Sequence, residues 1–420
     1  MRVLRAIAPV FRSFRNRNFR IFTLTNCPSL ITDWMTRVAV AYVAWDLTHS
    51  ATWLGIIGFA ELFPSLIFGV FAGAIADRFD RRWLMIFSQF LLVTQAVALS
   101  FFTYADLMTV EQLAALTFYF GAIKALDQPT RHSLIPGLVR KEDVSTAIGF
   151  DSISFNTARI IGPAIAGVVI ITYGVGPIFI ANSITFTFFM FGLFFVRYTS
   201  RPGPKSSQGF AGSIGEGFRY CSRHPGIGPL LLVLCLISVV ARPLLNFIPG
   251  FAGDVFEAGA EGQAILTTAM GVGAMAAGVY LTQRPSVKGL TAIFTTMTAG
   301  LGIALVVFNS NQTFWAGVLA MVVIGFTVLI NGLGSRMLIQ TASAPHMRGR
   351  VASFYTTILR GAGSLGAILL GVTADVIGLQ VTFFLAGLVC LVAWLWTNKL
   401  RPTMGPALEN PPAEEAEETG

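Results

Sequence analysis

Long apolar runs recur along nearly the whole chain, and they leave it little to fold into except a membrane. A helix needs about 20 mostly apolar residues to cross a hydrocarbon core of about 30 Å. Runs of that kind stand near residues 18–44, 52–76, 83–104, 112–131, 144–172 and 176–197. Six more stand near 226–252, 262–283, 289–308, 312–335, 349–374 and 379–398, of which 349–374 is Gly-rich and only moderately apolar. Composition agrees. Hydrophobic residues make up 54% of the 420 positions and charged residues 12%, where a soluble domain carries about a quarter charged. One soluble core cannot hide that much apolar surface, so the excess faces lipid. The expected fold class is all-α and integral to the membrane, with twelve transmembrane helices.

Lysine and arginine fix the orientation. With a cytoplasmic N-terminus, 24 of the 29 basic residues fall on the cytoplasmic side: the six arginines up to Arg20, then the turns holding Arg78, Arg81 and Arg82, and those after each later even-numbered span. The remaining five, Arg37, Lys124, Arg159, Arg242 and Arg360, lie within spans. The outer connections carry Asp46, Asp106, Glu111, Asp254, Glu257, Glu261 and Asp375 and no base. Both termini are therefore expected in the cytoplasm of a bacterium, with the protein in its inner membrane. The net charge of +8 reflects this topology and not a nucleic-acid partner.

Several chemistries are excluded. Cys27, Cys221, Cys235 and Cys390 are scattered, without metal-ligand spacing, so neither a disulfide framework nor a metal is expected. The arginine-rich start is too long and too basic for a signal peptide. A Gly-rich phosphate loop and a His-Glu-x-x-His pair are both missing, and His49, His132, His224 and His346 all fall near loops. Neither an enzyme, nor a cofactor, nor an ATP-driven pump is expected.

The longest interior connection contains Arg201-Pro-Gly-Pro-Lys-Ser-Ser and then an amphipathic stretch around Phe210–Tyr220. It divides the chain into a basic N-terminus at 1–17, a six-helix bundle at 18–197, a linker at 198–225, a second bundle at 226–398 and an acidic tail at 399–420. A weak repeat links the bundles: Arg159-Ile-Ile-Gly162-Pro-Ala-Ile-Ala-Gly167 lines up with Ser364-Leu-Gly366-Ala-Ile-Leu-Leu-Gly371. Paired six-helix halves are a transporter architecture. The tail, with Pro411-Pro-Ala-Glu-Glu-Ala-Glu-Glu-Thr, is expected to be disordered and receives no function.

Between the second and third spans stands Gly73-Ala-Ile-Ala-Asp77-Arg78-Phe-Asp80-Arg81-Arg82. It resembles the G-x-x-x-D-R-x-G-R-R signature of the major facilitator superfamily. A carboxylate meeting bases at a short cytoplasmic turn can latch one state and loosen in another; the alternative is a turn that only sets topology. Asp80 stands where the family has Gly, which leaves the turn geometry open. The fifth span carries Gly149, Ala158, Gly162-Pro163 and Ala166-Gly167 at the spacing of the superfamily's exporter motif, with Ala at two Gly places. Ordinary small-residue packing is the competing account.

Wider phrases narrow the resemblance to the enterobactin-exporter-like group. They are Leu47-Thr-His-Ser50 with Leu54-Gly55 and Phe63-Pro64, then Asp127-Gln-Pro-Thr-Arg131, Ala241-Arg-Pro-Leu-Leu-Asn-Phe-Ile-Pro249 and Arg348-Gly-Arg350-Val. The likeness covers roughly residues 15–400. It implies a proton-linked exporter of siderophores, drugs or related small molecules.

Ionisable groups at helix centres cost a few kcal/mol each, so each is a functional candidate. At about 1.5 Å of rise per residue, Asp33, Glu61 and Arg242 lie in the outer half, Arg159 and Arg360 nearer the midplane, and Asp127 and Asp151 toward the cytoplasm. Asp33 and Arg37 are four apart and can pair, as a structural bridge or as a protonation switch. Glu61 has no neighbour in its own helix, so it is a second proton candidate or a group reaching water. Asp127 suits a structural pairing with the Arg of the turn motif, with Lys124 balancing it. Asp151, a third proton candidate, and Arg159 are eight apart and can both face a cavity, or hold partners in the other half. Arg242 and Arg360 have no acid within their own spans, so with Arg37 and Arg159 they are substrate contacts or interface salt bridges. Trp34 and Phe247 are candidate cavity aromatics.

These readings predict an alternating-access exporter in which inward proton flow drives a small molecule outward. Its partners are that substrate, protons and membrane lipids, and it is expected to be a monomer. Rival readings are a lipid or lysolipid exporter, a facilitator, and a non-transporting sensor with a degenerate fold. The intact Asp77 motif argues against the last.

Overall fold

The computed structural model describes residues 10–198, 210–284 and 286–410, without the side chains of 10–12, 70–78 and 210–214. The first nine residues, most of the Pro-rich linker and the acidic run from Pro411 lie outside the described residues, as do the side chains of Gly73, Asp77 and Arg78.

Helices are the only regular secondary structure among the described residues. The first six long helices are α1 (Arg17–Thr48), α2 (Ala51–Arg78), α3 (Arg81–Tyr104), α4 (Val110–Leu134), α5 (Val144–Tyr173) and α6 (Gly176–Phe194). The amphipathic stretch of the linker forms α7 (Phe210–Arg223). The seventh predicted span is interrupted: α8 (Ile227–Val240) stops, a turn passes through Ala241–Pro243, and α9 (Leu244–Gly250) resumes, with a π-turn at Phe251–Val255. Then follow α10 (Gly259–Thr282), α11 (Leu290–Ser310) and α12 (Phe314–Ala342). The eleventh span is α13 (Arg348–Thr357), a π-turn at Ile358–Ala362 and α14 (Gly363–Ile377); α15 (Leu379–Glu409) closes the series.

Ten of these stretches are long and apolar enough to cross a membrane by length and composition, the Gly-rich eleventh among them. The two others of comparable length are α1 and α4, with 32 and 25 residues. Each carries charge inside: Asp33 and Arg37 in α1, Lys124, Asp127 and Arg131 in α4. These two helices supply most of the charged site described below.

The division 399–420 into a disordered tail needs correction. Residues up to Glu409 continue α15 although Pro402 and Pro406 stand within it. Met404 and Leu408, one turn apart, are buried and give that stretch an apolar face.

Local chemistry accounts for the turns. Asp80 is the N-cap of α3: its carboxylate accepts from the backbone N–H groups of Arg82 (2.9 Å) and Trp83 (3.2 Å). Its φ is −62°, so the glycine of the superfamily pattern is not needed at this turn. A capping box of Thr109 and Gln112 starts α4.

The described residues fall into two compact units. One takes those up to His49, those from Ala60 to Tyr198 and Gln263–Thr268; the other takes Ser50–Phe59, Phe210–Gly262 and Ala269–Asn410. In the first, α1 packs on α5 and α6, and α3 packs on α4 and α6. In the second, α8 packs on α14 and α15, and α11 on α12 and α15. The second pattern is the first shifted by six spans. The paired glycines of the sequence repeat sit at matching contacts. A Cβ on Gly162 would stand 2.6 Å from Trp34 Cβ of α1, and one on Gly366 would run into Val239 of α8. Only glycine allows either approach.

Candidate functional site

In the first unit an alternating chain of charges runs between three helices. Glu61 of α2 pairs with Arg37 Nη1 of α1. Arg37 Nε lies 3.9 Å from Asp33 Oδ2, and Lys124 Nζ of α4 lies 3.5 Å from the same oxygen. Lys124 Nζ is also 4.0 Å from Asp127 Oδ2, whose other oxygen accepts from Gln89 Nε2 at 2.7 Å. Asp33 and Asp127 are buried, whereas Arg37 and Glu61 keep some solvent access. Asp33 Oδ1 is buried without a hydrogen-bond partner among the described residues.

Aromatic rings insulate this chain. The Arg37 guanidinium lies 5.2 Å from the centroid of Trp34 and 5.5 Å from that of Phe120. Lys124 Nζ is 5.2 Å from the Phe120 ring and 5.5 Å from that of Phe186. Arg159 stacks over Trp34 from α5, at 5.8 Å. Such faces hold a cation where little water reaches it.

Two expectations change here. Glu61 has a cationic partner, supplied by the neighbouring helix, so it is not an isolated carboxylate. Asp151 sits 3.8 Å from Arg131, a residue assigned to a cytoplasmic turn, while Arg159 turns to Trp34. Asp127 is held by Lys124 and Gln89, and its expected pairing with the Arg of the turn motif involves Arg78, whose side chain lies outside the described residues. The described arginines of that turn, Arg81 and Arg82, bind helix ends. Arg81 Nη1 donates to Ser133 O and Tyr198 Oη, both at 3.2 Å. Arg82 donates to Leu193 O (2.8 Å) and Phe194 O (2.7 Å). Cations on the last carbonyls of α4 and α6 complement the negative ends of both helices.

In the second unit the two interrupted spans meet. Arg242 occupies the break between α8 and α9, keeps accessible surface, and donates through Nη1 to Leu359 O at 3.4 Å, inside the π-turn that carries Arg360. Tyr355, one turn before Arg360, donates to Gly332 O at 2.7 Å. Discontinuous helices and π-turns concentrate at ligand sites of transporters. Phe247 does not belong to this site. It is fully buried, packing on Phe383 at 5.2 Å between ring centroids. Its apolar ring fills the core of α9 instead of a cavity wall.

Residues 8–417 match the family model described as transmembrane secretion effector. The chain belongs to that family. Family membership places the protein in the major facilitator superfamily, beside efflux proteins for siderophores and drugs. The staphyloferrin A transporter of Staphylococcus aureus is 26% identical over 379 residues, covering 88% of this chain and 94% of that protein. Macrolide efflux protein A of Streptococcus pyogenes is 22% identical over 386 residues, covering 90% and 95%. A crystal structure of the nucleoside transporter NupG matches with a TM-score of 0.72 over 91% of this chain and 98% of that one; at 11% identity the likeness is one of fold. The protein is a multi-pass membrane transporter of the major facilitator type.

Two features of this secretion-effector chain escaped sequence reasoning. Lys124 joins Asp33 to Asp127, a contact between α1 and α4 that no spacing within one helix encodes. The Arg242–Leu359 contact joins two helix irregularities. Pro243, beside Arg242, was the available signal for the first of them.

Proposed function

We propose that this protein is a proton-coupled exporter of small molecules, working by alternating access in the bacterial inner membrane. The observation that carries the reading is a charge count. Asp33, Glu61 and Asp127 are three carboxylates in contact with two cations, Arg37 and Lys124. With all five ionised the chain holds one negative charge in excess, and one proton brings it to neutrality. An uncompensated charge inside a membrane costs about 2.5–3.5 kcal/mol on insertion scales. Asp33 Oδ1, which lacks a partner among the described residues, is where that proton would sit.

On this reading α1 and α4 cross the membrane as well, giving twelve spans in two six-helix halves. Both termini are cytoplasmic, the orientation that the basic turns favour. A single subunit suffices for the cycle. Arg242 and Arg360, presented by the helix break and the π-turn of the second unit, are candidate contacts for an anionic or oxygen-rich substrate, as are Arg37 and Arg159 of the first unit. A siderophore or a macrolide, the cargoes in the relatives' names, defines the panel to try.

The test uses proteoliposomes with an entrapped pH dye, that panel, and wild type beside Asp33→Asn and Glu61→Gln. Substrate-dependent proton flux that either substitution abolishes is the expected result. Substrate movement without protons, alike in all three proteins, would make the protein a facilitator.

A further inference from the structure

The linker helix lines one basic cavity in the second unit, and the end of the last helix packs on Gly226, beside its wall. Its volume is about 780 Å³, and its wall includes Glu216, Arg219, Arg223, His224, His346 and Arg350. The single acid there is engaged, because Glu216 pairs with Arg350. His224 is also committed: its Nδ1 accepts from the N–H groups of Gly226 (3.1 Å) and Ile227 (3.2 Å), and burial pushes its pKa below the usual histidine value. Arg219 and Arg223 are left exposed one helical turn apart, with no carboxylate partner among the described residues. Like charges at that spacing repel, and an anion between them removes the repulsion.

The chain itself carries further carboxylates in the sequence that follows the last helix. Leu408 packs where Gly226 lacks a side chain, since a Cβ there would lie 2.6 Å from Leu408 Cγ. Gly226 is two residues from His224 in the cavity wall. Glu409 is pinned by the N–H groups of Gly289 (2.6 Å) and Thr291 (2.9 Å), which fixes where the chain leaves α15. The sequence beyond it contains Glu414, Glu415, Glu417 and Glu418. An extended chain advances about 3.5 Å per residue, so Glu414 can travel roughly 14 Å from Asn410.

We infer that the acidic segment Glu414–Glu418 docks in this cavity as an internal ligand, its carboxylates bridging Arg219 and Arg223. Carboxylates match the forked donors of arginine, and the short tether keeps the local concentration of the segment high. Docking ties the end of α15 to the linker helix α7. Exposed ion pairs are individually weak and screened by salt, so the contact is reversible and ionic-strength dependent.

The test uses the full chain in detergent micelles with cysteines introduced at Gly215→Cys, in the cavity wall, and Ala416→Cys, in the segment. A Cβ on Gly215 meets nothing within 4 Å, so the first substitution is tolerated. Copper phenanthroline serves as oxidant, and each single-cysteine variant controls for Cys27, Cys221, Cys235 and Cys390. The disulfide should form at least tenfold faster at about 50 mM salt than at about 1 M. It should form equally slowly at both when Arg219→Gln and Arg223→Gln are added. Equal rates with and without those arginines would overturn the inference. So would slow cross-linking throughout, accompanied by protection of both arginines from phenylglyoxal by inorganic phosphate or phosphatidylglycerol. That outcome would give the cavity to a free anion or a lipid headgroup.

Discussion

Arg37 of α1 meets the carboxylate of Glu61 on α2 while its Nε stays 3.9 Å from Asp33 Oδ2, so one cation serves two acids on different helices. Replacing it by Arg37→Met strands Glu61 and leaves Asp33 to Lys124 alone. Breaking a fully buried pair costs about 3–5 kcal/mol; the partial exposure of this pair lowers the expected loss to about 2 kcal/mol. The double variant Arg37→Met/Glu61→Gln should lose less than the sum of its singles, by about 1–2 kcal/mol, because the second change removes a stranded charge. Thermal unfolding in detergent measures the cycle, and strictly additive losses would contradict the pairing.

Asp375, at the end of α14, holds the start of α2. Its carboxylate accepts from Ser50 Oγ (2.7 Å), Ala51 N (2.7 Å) and Thr52 N (3.0 Å). This is a helix cap supplied from a distant part of the sequence, and the negative charge also suits the positive end of the helix. Asp375→Ala should cost about 1–2 kcal/mol in unfolding experiments, at the upper end of cap effects. Asp375→Asn keeps an acceptor and should cost less than half of that. Indistinguishable melting for all three proteins would show that the cap is idle.

What could be read in the sequence follows from the range of the interaction. Ten of the twelve span positions and the Asp33–Arg37 neighbourhood depend on spacing within one helix, and the structure has them. Glu61 with Arg37, Lys124 with Asp33 and Asp375 with Ala51 join separate helices, and helical periodicity carries no register between helices. Asp80 shows the reverse case. Its departure from the family pattern left the turn geometry open, and its side chain supplies a helix cap there. The π-turn at Ile358–Ala362 left no signal in the sequence beyond the glycines around it.

Two glycines of the fifth span should behave oppositely. Gly162 faces Trp34 Cβ at 2.6 Å and Ile31 O at 2.9 Å from an added Cβ, whereas Gly149 faces nothing within 4 Å. Gly162→Ala forces α5 away from α1 and should cost about 1–3 kcal/mol, as overpacking does. Gly149→Ala should be neutral or stabilising by up to about 1 kcal/mol through helix propensity. Equal responses would mean that the exporter-like spacing, and not the contact at Gly162, governs this helix.

A substitution at Arg242 tests the proposed substrate contact apart from stability. The residue keeps accessible surface and, among the described residues, its guanidinium donates one long bond, to Leu359 O. Arg242→Gln should therefore leave melting nearly unchanged, while raising the KM for a carboxylate-bearing siderophore at least tenfold. Lost charge-assisted bonds of about 1.5–3 kcal/mol correspond to that change. A neutral drug should be affected much less. Equal loss for both substrates would assign Arg242 to the conformational cycle instead of to recognition.

His224 gives the fold a pH dependence of known sign. Its Nδ1 accepts from two backbone amides at the start of α8, and burial lowers its pKa in the folded protein. An unfolded chain returns it to the usual value of about 6.5. Above that pH the residue is neutral in both states and its contribution to stability is complete. As pH falls below about 6.5 the unfolded state takes up a proton that the folded state resists, so stability drops toward the lowered folded pKa. Wild type should thus lose more melting temperature between pH 7.5 and 5.5 than His224→Gln, whose amide oxygen can still accept at the helix start. The comparison within one protein cancels the titration of His49, His132 and His346. Parallel pH profiles would mean that His224 enters the folded state with its proton affinity unchanged.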